Sequence, residues 1–167
     1  MIRSALLTIS LAALPAVLWA QQPSVKVDPP NVHGSRPVEP TTKTAVVRDY
    51  LQSWLSMRRA LNQNRPRDLD PDFVGTARTK LAQTIAQQVA LGIHARYQDE
   101  SHHLQIVFYS PNGVSIQLVD NVSYNEQVLD RKGHELASHR IHARYLVVLT
   151  PAATRWQVRI MQAGPEA

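Results

Sequence analysis

The sequence predicts an α+β domain in which N-terminal helices pack on an antiparallel sheet. A change of period and two turn sequences carry this reading. Apolar residues recur at three- and four-residue spacing from Val47 to Val89, and from Ile93 onward they alternate with polar ones. The alternating runs are separated by Ser110-Pro111-Asn112-Gly113 and Asp130-Arg131-Lys132-Gly133, turn sequences that bring consecutive strands back antiparallel.

The first helix is drawn by Val47, Leu51, Trp54, Leu55 and Leu61, with Arg48, Gln52, Arg58 and Arg59 falling largely between them. Thr41 or Thr42 is the expected N-cap. The end is expected near Asn64, because Pro66 disfavours helical geometry at Arg65. A short element over residues 69–74 closes at Gly75. Ala77, Leu81, Ile85 and Val89, spaced by four, then define a second helix ending at Gly92, a residue suited to a left-handed cap. Strands are expected at 93–97, 103–109, 114–129, 139–149 and 155–161. In the second of these Leu104, Ile106 and Phe108 share a face. In the third, Val114, Ile116, Leu118, Asp120, Val122 and Tyr124 do.

Residues 1–20 read as a cleavable secretory signal: a cation at Arg3, an apolar run from Ala5 to Leu18, Pro15 ahead of the cut, and small Ala20 before it. The run is shorter than the ~20 apolar residues that span a bilayer and meets polar Gln21-Gln22-Pro23, so no membrane span is expected after cleavage. The product is expected to be periplasmic or secreted. Residues 21–41 carry five prolines and almost no large apolar side chains, the composition of a disordered linker. Residues 42–163 then form one domain. Without cysteine it rests on a hydrophobic core rather than disulfides. The net charge of +5 comes from scattered Lys and Arg interrupted by acids, which excludes a concentrated nucleic-acid footprint.

This order of elements resembles the cone-shaped fold of the nuclear transport factor 2-like superfamily, in which the sheet is curved. The resemblance spans roughly residues 42–162. It is carried by the long helix ending Arg58-Arg59-Ala60-Leu61, by Asp72-Phe73-Val74-Gly75, and by Tyr145-Leu146-Val147-Val148-Leu149 answered by Arg155-Trp156-Gln157-Val158-Arg159-Ile160. Within it, the chain resembles the intermembrane-space domain of chloroplast-division proteins and bacterial relatives. The resemblance implies a scaffold shared by isomerases, cyclases, dehydratases, ligand-binding domains and non-catalytic interaction modules, so the fold leaves function to the site. It also implies that the catalytic members place an Asp, sometimes with a His or Tyr, inside the cone.

Asp120 is the candidate base, since it keeps phase with Ile116, Leu118 and Val122 and burial would raise its pKa. The alternative is a bulge at Asp120-Asn121 that turns the carboxylate outward. Tyr124 and His142 are its candidate assistants. Trp54, Tyr145 and Trp156 are candidate ligand contacts, or else core residues. Arg140, His142 and Arg144 alternate on one strand face with Arg155 and Arg159 on the expected neighbour. Together they would make a cationic docking surface or a solvated outer face. The seven histidines do not make a metal site: His102 and His103, and likewise His139 and His142, point to opposite faces of a regular strand and read as solvated. No cofactor is expected. The function expected is an exported non-catalytic domain that binds an envelope protein or small apolar ligand. An isomerase- or dehydratase-like enzyme is the alternative, and a homodimer through the sheet is compatible with both.

Overall fold

A computed structural model describes residues 22–32 and 36–164. The signal-peptide expectation, residues 1–20, lies outside them. Two helices cover one face of a five-stranded sheet whose strands lie in chain order. Helix α1 is Pro40–Gln63, α2 is Gly75–Leu91, and a single 3-10 turn, Pro66–Leu69, joins them. The strands are β1 Ser24–Val27, β2 Ile93–Tyr109, β3 Ile116–Asp130, β4 Glu135–Pro151 and β5 Trp156–Ala163. All pair antiparallel except β1, which runs parallel to β2.

The N-cap of α1 is Glu39, two or three residues before the expected Thr41 or Thr42, because Pro40, with its fixed φ, serves as first helical residue. Its end is as expected, with Asn64 left-handed at φ 52°. Val46, Tyr50, Trp54, Met57 and Leu61 form the buried stripe. Helix α2 closes on Gly92, whose φ of 69° is open to glycine at little steric cost. The expected element at 69–74 is instead a turn ending at Leu69, after which Phe73 is drawn against Val158 of β5.

The expected linker differs at its start. Ser24–Val27 adds to the sheet alongside Ser101–Leu104, and the Asp28 carboxylate meets His103 Nε2 at 2.7 Å. A proline-rich stretch can do this because an edge strand needs only one side of its backbone paired.

The two strands expected at 93–97 and 103–109 are one, β2, with two register shifts against β3. At Glu100 an extra residue reverses the side-chain phase. Ala95 and Asp99 are buried before it, and His102, Leu104 and Ile106 after it. A second shift past Ile106 turns Phe108 half out and Tyr109 in, correcting the expectation that Phe108 shares the face of Leu104 and Ile106. In β3 the expected face is inward from Ile116 to Tyr124, while Val114 lies in the exposed turn before it.

Candidate functional site

The inner face of the sheet carries a polar cluster in the middle of the core. No bulge interrupts β3 at Asp120, which pairs with Leu104 on one side and Tyr145 on the other. Its carboxylate therefore points inward, against the outward alternative, and it is wholly buried. Asp120 Oδ2 accepts from the Tyr50 hydroxyl at 2.8 Å and from His102 Nδ1 at 2.7 Å. On the other side of the imidazole, Nε2 lies 3.7 Å from Asp99 Oδ2, which also meets Arg58 at 3.2 Å. The strand phase reversal at Glu100 is what lets Asp99 and His102, three residues apart, face the same interior.

These groups balance in charge only if His102 is protonated: two buried carboxylates face Arg58 and one imidazole. Burial opposes the imidazolium. The hydrogen bond to Asp120 and the close approach of Asp99, reinforced by the negative charges of both, outweigh it and push the pKa up to about 9. Burial and the neighbouring Asp120 charge hold the Tyr50 phenol well above its usual range, so it acts as a neutral donor. Four polar atoms in this cluster lack a protein partner: Trp54 Nε1, Asp99 Oδ1, His102 Nε2 and Asp120 Oδ1.

An aromatic layer separates the cluster from the surface. The Trp54 ring stands edge-on to His102 at 5.0 Å and packs on Tyr124 and Tyr145 at 5.8 and 6.0 Å. Tyr97 lies on Tyr124 at 5.0 Å, and the hydroxyls of Tyr124 and Tyr145 are 3.4 Å apart. Beyond this layer opens a cleft of about 160 Å³. Its floor is Tyr97 and Tyr145, and its walls are Met57 and Leu61 of α1, Met161 of β5, and Ala77 and Leu81 of α2. Lys80 and Thr84 stand at the α2 side.

The sequence candidates separate accordingly. Asp120 and Tyr124 are in the core, and Tyr145 lines the cleft. Trp54 is one layer deeper, as a core residue. Trp156 is half-buried against Tyr109, at the end of β5 far from Tyr145. His142 cannot assist Asp120. It pairs with Ser123 on the outer face, its Nδ1 2.7 Å from the Ser123 hydroxyl. The arginines do not converge on one cationic surface. Arg140 is bonded to Glu100, Arg155 to buried Asp72, and Arg159 lies beside Gly75 at the start of α2. Arg144 is opposite Gly164, past the end of β5. Charge neutralisation and the offset between β4 and β5 break up the expected patch.

His102 and Asp99 are the site residues that the alternation missed. The reading of strand histidines as solvated fails for His102, which is 1% exposed and in phase with Leu104 and Ile106. Tyr50, four residues before Trp54 in the helical stripe, was also detectable by spacing. Among the described residues, no group of three or more His, Cys, Asp or Glu is placed to hold a metal ion.

No family model matches the chain, and no curated protein matches its sequence. Solved structures do match. The intermembrane space region of the chloroplast protein ARC6 superposes with a TM-score of 0.60 at 11% identity, over 77% of this chain and 98% of that one. A "Putative Scytalone Dehydratase" from Novosphingobium aromaticivorans gives 0.51 at 13% identity, over 75% and 89%. A "putative dehydratase from the NTF2-like family" of Streptomyces avermitilis gives 0.51 at 10% identity, over 74% and 99%. At such identities the likeness is one of fold: this chain has the α+β fold of the nuclear transport factor 2-like proteins.

Proposed function

We propose that this chain is an exported, non-catalytic binding domain of the cell envelope, which takes a small apolar ligand or an apolar group of a partner protein into the cleft between α1, α2 and the sheet. The observation that carries this reading is the position of the aromatic layer. It leaves an open, mostly apolar cleft on the surface side and seals the titratable groups on the other. Export is supported by the charge, apolar run and small residue of positions 1–20. Native mass spectrometry of protein expressed from the full chain tests the reading. A bound apolar species is expected in the wild type and absent from Thr84→Trp, which fills the cleft from an exposed helical position. A wild type that arrives empty and captures no apolar fragment overturns it.

The His102–Asp120 pair favours a second reading, an isomerase- or dehydratase-like enzyme with Asp120 as base. Its support is the unpartnered Asp120 Oδ1 and His102 Nε2. Against it stands the complete burial of Asp120 behind Trp54. A substrate must then part the aromatic layer, so a cleft ligand that shifts the His102 ring resonances would favour catalysis. Ligands that leave those resonances unmoved would favour binding alone.

A homodimer through the outer sheet face is a further part of the proposal. Its support is the apolar pair of Leu146 and Ile160, exposed by 41% and 37%. Light scattering should report a dimer that Leu146→Arg dissociates. A monomer at high concentration excludes it.

A further inference from the structure

The cleft has a size and a polarity that narrow what it can hold. Its volume of about 160 Å³ is below the ~300–1,000 Å³ of sites for drug-sized ligands, and close to the ~150 Å³ cavity that encloses one benzene ring. The body of a ligand is therefore one ring or a chain of about six carbons. Met57 and Met161 offer it flexible, polarizable walls that adapt to either shape.

One charged side chain lines the cleft, Lys80. None of the ion pairs among the described residues includes it. It stands in the middle of α2, one turn before Thr84, and both are exposed. The floor itself is neutral, since burial, with the nearby Glu126 carboxylate, holds the Tyr97 phenol well above its usual range; Glu126 does not line the cleft. A single unpaired cation beside an apolar cleft matches a monoanion. A dianion such as a phosphomonoester would leave one charge uncompensated against the apolar wall.

We infer that the cleft takes a carboxylate-bearing amphiphile of single-ring or six-carbon size, its apolar body between Met57 and Met161 and its carboxylate on Lys80. This rests on the proposed binding role of the cleft.

Methyl NMR of the full chain, labelled at methionine, tests it, since Met57 and Met161 are the methionines beyond Met1 and both line the site. Hexanoate, hexanol and hexylamine are titrated at pH 7 and low salt. Hexanoate should shift both methyls and bind about three- to fivefold more tightly than hexanol, the scale of one exposed ion pair. That preference should vanish in Lys80→Gln, reverse toward hexylamine in Lys80→Glu, and weaken with added salt. Hexanol binding as tightly as hexanoate, or a preference that survives Lys80→Gln, overturns the carboxylate assignment while the cleft remains a binding site. If none of the three probes moves either methyl, the binding role of the cleft fails, and the carboxylate assignment with it.

Discussion

Raising the pH should destabilise this domain from within. His102 has a folded-state pKa of about 9 against an ordinary value of 6.5, because Asp120 and Asp99 favour its charge more than burial opposes it. The groups facing the ring are Asp99 on β2, Asp120 on β3, and Tyr50 and Trp54 on α1, with Arg58 of α1 paired to Asp99. A base whose pKa is higher folded than unfolded contributes stability that is full below about pH 6.5 and is lost as the pH rises through about 9. At about 1.4 kcal/mol per pKa unit, the loss across that window is about 3 kcal/mol, a large share of the ~5–15 kcal/mol that stabilises a typical domain. Tyr50, Tyr97 and Tyr124 are all held above their usual pKa by burial first, so they stay neutral in the same window. Urea unfolding, followed by Trp fluorescence, should show the midpoint falling from pH 6.5 to pH 9.5 in the wild type. His102→Gln should be less stable at pH 6.5 and should lack that fall. Parallel pH profiles for the two proteins, or a His102 ring that titrates near 6.5 by NMR, would refute the charge balance argued for the cluster.

Other substitutions probe the same packing. Tyr50→Phe removes one of the two donors to Asp120 Oδ2 and should cost about 1–3 kcal/mol in urea unfolding, the range for a hydrogen bond to a buried charge. Asp72→Ala frees both the Ser56 hydroxyl and Arg155, and separates α1 from the start of β5; a loss of about 2–4 kcal/mol is expected, whereas Arg155→Gln, at the half-exposed end of the pair, should cost under about 1 kcal/mol. Gly92→Ala puts a Cβ at φ 69° and against the flexible Arg131 side chain. It should lower stability by about 1 kcal/mol, measured by thermal unfolding, and a neutral effect would mean the α2 cap can relax.

Much of the fold could be read from period alone, and the reasons for the exceptions are local. The inward face of β3 repeats without interruption, so its spacing names the buried residues from Ile116 to Tyr124 directly; in α1 the spacing names Trp54 and Leu61, but the buried stripe is turned toward Val46, Tyr50 and Met57 and leaves the expected Leu55 exposed. β2 does not repeat: the extra residue at Glu100 reverses its phase, and the alternation then breaks into two short runs that read as two strands. His102 was missed at that break. His142 was misplaced for a different reason. Whether it shares a face with Asp120 depends on the register of the β3–β4 hairpin, which contains a shift near Val128, and no residue pattern in the turn reveals that offset. The arginines failed likewise, since their alternation within β4 was right and their partnership across to β5 was not.

The buried cluster and the cleft are connected through the side chains between them. Asp120 receives Tyr50 from the helix and His102 from the neighbouring strand, so it ties α1 to β2 and β3 at one point. A one-residue slip of β3 would turn Asp120 out and Asn121 in, leaving the His102 cation and the Tyr50 hydroxyl facing an amide. The buried charges thus oppose the slip together with the apolar inner face, because the outer face offers only Val119 among Gln117, Asn121, Ser123 and Asn125. Fixing that register also fixes Trp54, which stands between His102 and Tyr145, and Tyr145 in turn forms the floor of the cleft. A floor held by charge pairing on its inner side yields little to pressure from the outer side. In the proposed binding role, selection of a ligand by size would then follow from the same residues that set the strand pairing, while selection by charge would be left to Lys80 on a helix that the polar cluster does not touch.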